Sequence, residues 1–238
     1  MIEYIEVSGI GRVRVSRRKG MRSMRISVTQ NGEVRLALPS RVALRDGLQF
    51  LQSKQSWLTK HQTEEVLLDD GARIGKTHTL HIIPTSSSKS HTKLSANAVT
   101  VHIPEDHDAD QVQKKISQAA KKALQAQAEQ LLPQRLAAVA RQHGFSYRSV
   151  SVKPLQSRWG SCSSRGDIVL NIYLMQLPWQ LIDYVIAHEL SHLSHQNHSD
   201  AFWRQVERLL PDYASRRRAL KKYPTSVIDM REAERFLA

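Results

Sequence analysis

The stretch His188-Glu189-Leu190-Ser191-His192-Leu193-Ser194-His195-Gln196-Asn197-His198 is the part of this chain that decides its fold and its chemistry. In a helix, His188 and His192 lie on one face, so both imidazoles can reach one metal ion. Glu189 is rotated about 100° from His188, which lets its carboxylate hold a metal-bound water without being a ligand. Two helical histidines, a third ligand from beyond the helix and one open position are typical of a catalytic zinc site.

Three residues are candidates for the third ligand. His198 becomes available if the helix ends before it, because a turn can then bring it back. Glu207 is an alternative, since some zinc peptidases take a glutamate from a later helix. His195 is another, but almost two helical turns, about 10.5 Å, separate it from His188. We expect Zn2+ to be held by His188, His192 and His198.

The helix that carries the motif also has an apolar side. Residues 184–187 read Tyr-Val-Ile-Ala, and Leu190 and Leu193 follow within the motif. This pattern gives the helix a side to bury against a core. It favours a metal site over the alternative interpretation, a surface helix whose imidazoles hydrogen-bond to solvent.

The segment before the helix predicts a tight loop over residues 157–164 and a β-strand over residues 168–174. Pro178-Trp179 then opens the helix. In the zincin architecture a strand beside the active-site helix offers its edge to an extended peptide. We therefore expect residues 169–171 to align a substrate through backbone hydrogen bonds, with Asn171 fixing the loop or the helix.

These motifs together resemble the YgjP-like metallopeptidase family, which is related to the SprT-like zinc proteases. The resemblance rests on Arg158-Trp159-Gly160-Ser161-Cys162-Ser163, a strand that carries Asn171, the His-Glu-Leu-x-His-Leu motif at residues 188–193, and Asn197-His198-Ser199 with Phe202-Trp203. It implies a compact zincin-like catalytic domain, with His188, His192 and His198 as zinc ligands. It also implies that Glu189 is the catalytic acid/base.

The composition predicts an anionic partner as well as a peptide or protein substrate. Lys and Arg number 35 against 22 acidic residues, a net charge of +13, which favours a nucleotide, a nucleic acid or an acidic protein. The basic residues are scattered in small groups, and solvated helix faces explain them better than one binding groove does. No aromatic residues interleave with them, so a platform for stacking single strands is not indicated.

The cysteine count and the hydropathy pattern limit the cellular compartments in which we expect the protein. The chain has 1 cysteine, Cys162, which excludes an intramolecular disulfide and suits a reducing cytoplasm. We interpret Cys162 as a small packed thiol, because no base is paired with it. No apolar run approaches the roughly 20 residues that a membrane span needs, and residues 1–7 alternate as an acidic strand unlike a signal sequence.

The chain as a whole predicts an α+β fold, with a β-rich region containing one helix at residues 1–105 and the zincin-like domain at residues 106–238. Hairpins are expected over residues 5–15 and around Asn31-Gly32, and a helix over residues 43–61. Further strands are expected at residues 79–83 and 98–103. A long helix follows over residues 108–141, which Pro133 is expected to bend or divide.

These patterns predict a zinc metallopeptidase in which Glu189 accepts the proton of the attacking water and returns it to the leaving amine. Arg158 and Tyr173 are candidate donors to the oxyanion, although packing roles suit both, and Trp159 is expected to anchor the core. One alternative is a metal-dependent nucleoside triphosphate phosphohydrolase, which the positive charge favours. Another is a basic nucleic-acid-associated module whose metal is structural and held by four protein ligands.

Overall fold

The computed structural model describes residues 2–28, 34–55, 58 and 67–231, and they form the mixed α+β fold that the sequence predicts. The chain forms two compact units, residues 1–66 and residues 67–238. The boundary expected near residue 105 lies inside the second unit. There a strand leads into a long helix that packs against it, so the contacts do not separate the chain at that point.

The first unit is a β-sheet with one helix. Its elements are β1 (Ile2–Val7), β2 (Gly11–Arg18), β3 (Arg25–Val28), β4 (Val34–Pro39) and α1 (Leu44–Gln52). The strand order is β1-β2-β4-β3, and the predicted β1–β2 hairpin is confirmed. Val13 and Val15 alternate with exposed or half-buried residues and join the core of this unit. The Asn31-Gly32 turn, and most of the helix expected after residue 55, lie outside the described residues.

The second unit begins with a four-stranded sheet and a long helix. Its elements are β5 (Arg73–Ile74), β6 (His78–Thr85), β7 (His91–Leu94), β8 (Ala98–Pro104) and α2 (Ala109–Gln142). The strand order is β5-β6-β8-β7, and α2 packs against β8. The Asp108 side chain caps α2 by accepting a hydrogen bond from the Gln111 amide at 2.7 Å. Pro133 does not divide this helix, and the fully buried Leu132 and Leu136 hold the turns around it in the core.

A three-stranded sheet follows, made of β9 (Ser149–Lys153), β10 (Gly160–Cys162) and β11 (Asp167–Asn171). The order is β10-β11-β9, so β11 is central and both of its edges are paired. The expectation that residues 169–171 offer a free edge to a substrate is therefore wrong. The edge belongs to β10, which lies inside the predicted loop. Residues Ile172–Gln176 form a 3₁₀ helix where the sequence predicted more strand.

Three helices complete the second unit: α3 (Trp179–Ser191), α4 (Asp200–Leu209) and α5 (Tyr213–Leu220). Helix α3 begins after Pro178 as predicted, and its buried positions include Ile182, Ile186 and Leu190. It ends at Ser191, before His198, where the amides of His192, Leu193 and Ser194 donate to carbonyls three residues back and tighten the last turn. Among the described residues, no helix has both the length and the apolar character that crossing a membrane requires.

Candidate metal centre

Three imidazoles converge where α3 ends. His188 and His192 come from the last turn of α3 and its cap, and the turn that follows brings His198 back toward them. One ligand atom from each ring lies within 4.8 Å of the others. Nε2 of His188 and Nε2 of His198 are 3.0 Å apart. Within the described residues, no other three His, Cys, Asp or Glu side chains form such a group.

His195 and Glu207, the alternative third ligands, lie outside this group in the described part of the chain. His195 instead contributes its backbone, because its carbonyl oxygen accepts a hydrogen bond from Nδ1 of His192 at 3.0 Å. That bond places the ring proton on Nδ1 and leaves the Nε2 lone pair of His192 free. The early end of α3 makes this contact possible, since a continuing helix would carry the carbonyl away.

The three rings suit a transition metal. Burial lowers the pKa of His188, with smaller contributions from His192, His198 and Arg217, and together they bring it to about 3. Burial also lowers the pKa of His198, followed by the effects of His192 and Arg217. Metal ligation requires unprotonated imidazole nitrogens, and zinc accepts them readily. Three converging nitrogens, two of them on rings held neutral at physiological pH, therefore fit a divalent cation.

Two aromatic side chains from α4, Phe202 and Trp203, pack against the three imidazole rings. The Phe202 ring centroid lies 4.9, 4.6 and 4.7 Å from those of His188, His192 and His198. Trp203 stacks on His198 at 5.6 Å, and the Arg217 guanidinium from α5 lies 4.4 Å from the centre of the Trp203 ring. The Phe-Trp pair was evident in the sequence, whereas nothing in the sequence pointed to Arg217.

Glu189 is buried beside the three imidazoles, with 5% of its surface exposed. Burial raises the pKa of its carboxyl to about 8, and the positive charge of Arg158 opposes that rise. Strand β10 lies directly against it. A Cβ added at Gly160 would stand 2.7 Å from Oε1 and 2.8 Å from Cγ of Glu189. Only glycine fits at this point of β10 without displacing the carboxylate.

A cavity of about 630 Å³ opens over these groups. Its lining comprises Ser157, Arg158, Trp159, Gly160, Ser161, Cys162, Tyr184, Val185, His188, Glu189, His192, Gln196, His198 and Leu220. Of the two candidate oxyanion donors, Arg158 lines the cavity and Tyr173 does not. Trp159 was expected to anchor the core, but it is half-buried and forms part of the cavity wall. Tyr184, which the sequence placed on the apolar side of the helix, lines the cavity too.

Cys162 lies on the same wall as a half-buried thiol. Burial and, to a smaller extent, the negative charges of Glu189 and Asp167 together raise its pKa to about 11. The thiol therefore stays protonated at neutral pH, which agrees with a packing role and not with a nucleophile.

Asn171 fixes the loop that precedes β10, as predicted. Its Nδ2 donates to the carbonyl oxygens of Leu155 and Arg158, both at 2.8 Å. Its Oδ1 accepts from the amide of Leu155 at 3.3 Å. The Thr225 hydroxyl adds a bond to the Gln156 carbonyl at 2.9 Å. A fully buried amide on β11 thus sets the backbone from which Arg158 reaches the cavity.

Comparison with known proteins identifies the family. The model of the YgjP-like metallopeptidase domain matches residues 22–223, which is most of the chain. One similar solved structure is the crystal structure of the metallopeptidase zymogen of Pyrococcus abyssi abylysin, with 27% identity and a TM-score of 0.35. That match covers 39% of this chain and 94% of the other. No curated protein matches the sequence. Since the family match extends over so much of its length, the chain belongs to the YgjP-like metallopeptidase family.

Proposed function

We propose that this protein is a zinc-dependent peptidase that hydrolyses peptide bonds in the cavity above α3. One observation carries the proposal: three imidazoles converge within 4.8 Å beside a buried carboxylate, in a cavity large enough for a peptide segment. His188, His192 and His198 would hold the metal. Bound zinc supplies a Lewis acid that polarises a carbonyl group and lowers the pKa of water toward about 7.

Glu189 performs the proton transfers. Its carboxylate accepts a proton from water as the water oxygen adds to the carbonyl carbon of the peptide bond. The same carboxyl then gives the proton to the amide nitrogen as the C–N bond breaks, so the products are a carboxylate and an amine. Burial raises the pKa of the Glu189 carboxyl, and a cation beside it would favour the ionised form that accepts the proton.

The free edge of β10 supplies a template for an extended substrate. The Trp159 carbonyl accepts from the Asn171 amide at 2.9 Å, and the Ser163 amide donates to the Asp167 carbonyl at 2.9 Å. The backbone N–H and C=O groups of the odd-numbered residues between 159 and 163 therefore point toward β11. In an antiparallel pair the alternate residues, Gly160 and Cys162, turn their backbone groups to the other side. No described strand pairs there, so a peptide can add to this edge.

The test is Glu189→Gln, which keeps the size of the side chain and removes its basicity. Wild-type protein is expected to contain about one zinc per chain, as a single three-ligand site requires, and to cleave denatured proteins in a chelator-sensitive way. The variant is expected to keep its zinc and to lose hydrolysis. Undiminished cleavage by the variant, measured on the same substrates, would rule out the proposed role of Glu189.

The same assay separates the two alternatives. A phosphohydrolase would release phosphate from nucleoside triphosphates, and a nucleic-acid module would show strongly salt-dependent binding to DNA or RNA. No contact among the described residues favours either alternative, and a structural zinc site would need a fourth protein ligand beyond this group of three. The anionic partner and the cytoplasmic location stay predictions from the net charge and the cysteine content.

A further inference from the structure

Tyr184 is a buried residue whose hydroxyl has no hydrogen-bond partner among the residues that the structure describes. Its side chain lies one helical turn before His188 on the same face of α3, and the two ring centroids are 6.1 Å apart. Only 4% of the residue is exposed, and it lines the cavity. Among the described residues, none forms a hydrogen bond with the Tyr184 hydroxyl, which is not among the fully enclosed polar atoms.

A phenol in this position needs an explanation. A phenylalanine would fill the same space, and the hydroxyl adds no hydrogen bond within the described residues. A phenol has an ordinary pKa of about 10, so the hydroxyl carries a proton at neutral pH and can donate it. The group is therefore a donor that opens onto the cavity beside a proposed metal ligand.

The two oxyanion donors that the sequence suggested, Arg158 and Tyr173, are placed differently. Arg158 is exposed and comes from the loop before β10, and its charge acts on Glu189. Tyr173, the sequence-based candidate, is buried and does not line the cavity. Tyr184 alone among these three stands on the helix that carries His188 and Glu189. A rigid helix positions a donor better than a loop does.

We propose that the Tyr184 hydroxyl donates a hydrogen bond to the oxygen of the scissile carbonyl as negative charge develops on it. This role rests on the proposed peptidase function. A donor aimed at a developing oxyanion lowers the barrier because it gains strength only in the transition state. Tyr184 is then a catalytic residue, and the substrate supplies the hydrogen-bond partner that its hydroxyl lacks among the described residues.

The test compares Tyr184→Phe with Tyr173→Phe, the same chemical change made at a buried tyrosine outside the cavity. In Tyr184→Phe, kcat/KM is expected to fall about 100-fold, the typical effect of removing one oxyanion donor. Zinc content and the thermal midpoint should stay at wild-type values, since no bond within the described protein is lost. Calorimetry with a phosphinic peptide, which mimics the tetrahedral anion, should show a similar loss of affinity. Binding of an uncleaved peptide to zinc-loaded Glu189→Gln protein should be the same with and without Tyr184→Phe.

The outcomes separate the two proposals. If wild-type protein loads zinc and cleaves no peptide, the peptidase function is overturned together with this role. If wild-type protein cleaves peptides and Tyr184→Phe matches it in kcat/KM and in phosphinate affinity, only the role of Tyr184 is overturned. If Tyr173→Phe shows the same loss as Tyr184→Phe, the effect is not specific to the cavity and the role is again overturned.

Discussion

Two regions of the second unit contain a buried or largely buried histidine, His78 in one and His188 in the other. They differ in whether the ring nitrogens have hydrogen-bond partners within the described protein. His78 is 6% exposed and both of its nitrogens have protein partners. Its Nε2 donates to the Ser95 carbonyl at 2.9 Å, and its Nδ1 accepts from Gln127 at 2.9 Å. His188 is also largely buried, yet its Nδ1 has no partner among the described residues and its Nε2 faces another imidazole.

The difference separates a structural histidine from a functional one. Gln127 also supplies hydrogen bonds to the backbone around His78. Its Oε1 accepts from the Lys76 amide at 2.6 Å, and its Nε2 donates to the Ile74 carbonyl at 3.0 Å. The cavity region instead places the Nε2 atoms of His188 and His198 against each other and leaves the Tyr184 side chain on the cavity wall, where a metal and a substrate can use them. Changes in the first region should lower stability, whereas changes in the second should lower function.

The largest effect is expected for His192→Ala, which removes one nitrogen of the cavity group. Loss even of outer partners of metal ligands costs about 10–100-fold in affinity, so loss of a ligand should exceed that range. The matched control is His195→Ala, which keeps the backbone carbonyl that orients His192. Zinc affinity measured with a competing chelator should fall in the first variant alone. An equal loss in the control would show that His195 is a ligand.

The next largest effect is expected for Gln127→Leu in the structural region. The substitution removes the partners of the Ile74 carbonyl and the Lys76 amide and leaves the Nδ1 of His78 with the Thr77 hydroxyl alone. Buried unpaired groups cost about 1–3 kcal/mol each. We expect the free energy of unfolding to fall by about 3 kcal/mol, with zinc content unchanged. The control is Gln134→Leu, an exposed position on the same helix. If Gln127→Leu has the same free energy of unfolding as wild type, the hydrogen bonds of Gln127 do not stabilise the fold.

Gly160→Ala tests the shape of the cavity region. The new methyl group would overlap the Glu189 side chain, and the flexible glutamate, not the backbone, is expected to move. We expect kcat to fall about tenfold, or about 1.4 kcal/mol in the barrier, while zinc affinity changes little. Ser164→Ala, at an exposed site in the same segment, serves as the control. Full activity in Gly160→Ala would mean that the carboxylate tolerates displacement.

The smallest expected effect is a dependence of stability on pH that comes from Lys76, whose amide donates to Gln127. Burial lowers its pKa to about 8 from the usual 10.5 of a lysine. Between these values the unfolded chain binds more protons than the folded protein, so stability should rise with pH. The ammonium is partly exposed and screened, so the gain should be on the order of 1 kcal/mol or less. In Lys76→Met this rise between pH 8 and 10.5 should vanish, as urea titrations at several pH values would reveal.

Local patterns predicted much of the fold. Alternation and turn residues predicted the β1–β2 hairpin, and the apolar period predicted α2 and α3. The predictions of secondary structure that are wrong lie where the sequence has no clear pattern of alternating apolar residues. Strand β10 is three residues long, Gly160–Cys162, and has no alternating apolar side chains, so it resembled a loop. Pairing on both sides then moved the free edge from β11 to β10, which only long-range contacts decide.

By itself, the sequence determined the spacing of His188, Glu189 and His192, since a helix places residues at fixed angles along its own axis. It also narrowed the third ligand to His198, Glu207 or His195. The tertiary structure decided what depends on residues distant in the chain. It brought His198 against His188, pressed Gly160 onto Glu189 and opened Tyr184 to the cavity. Such contacts arise from the packing of separate elements, and no local periodicity encodes which of them will meet.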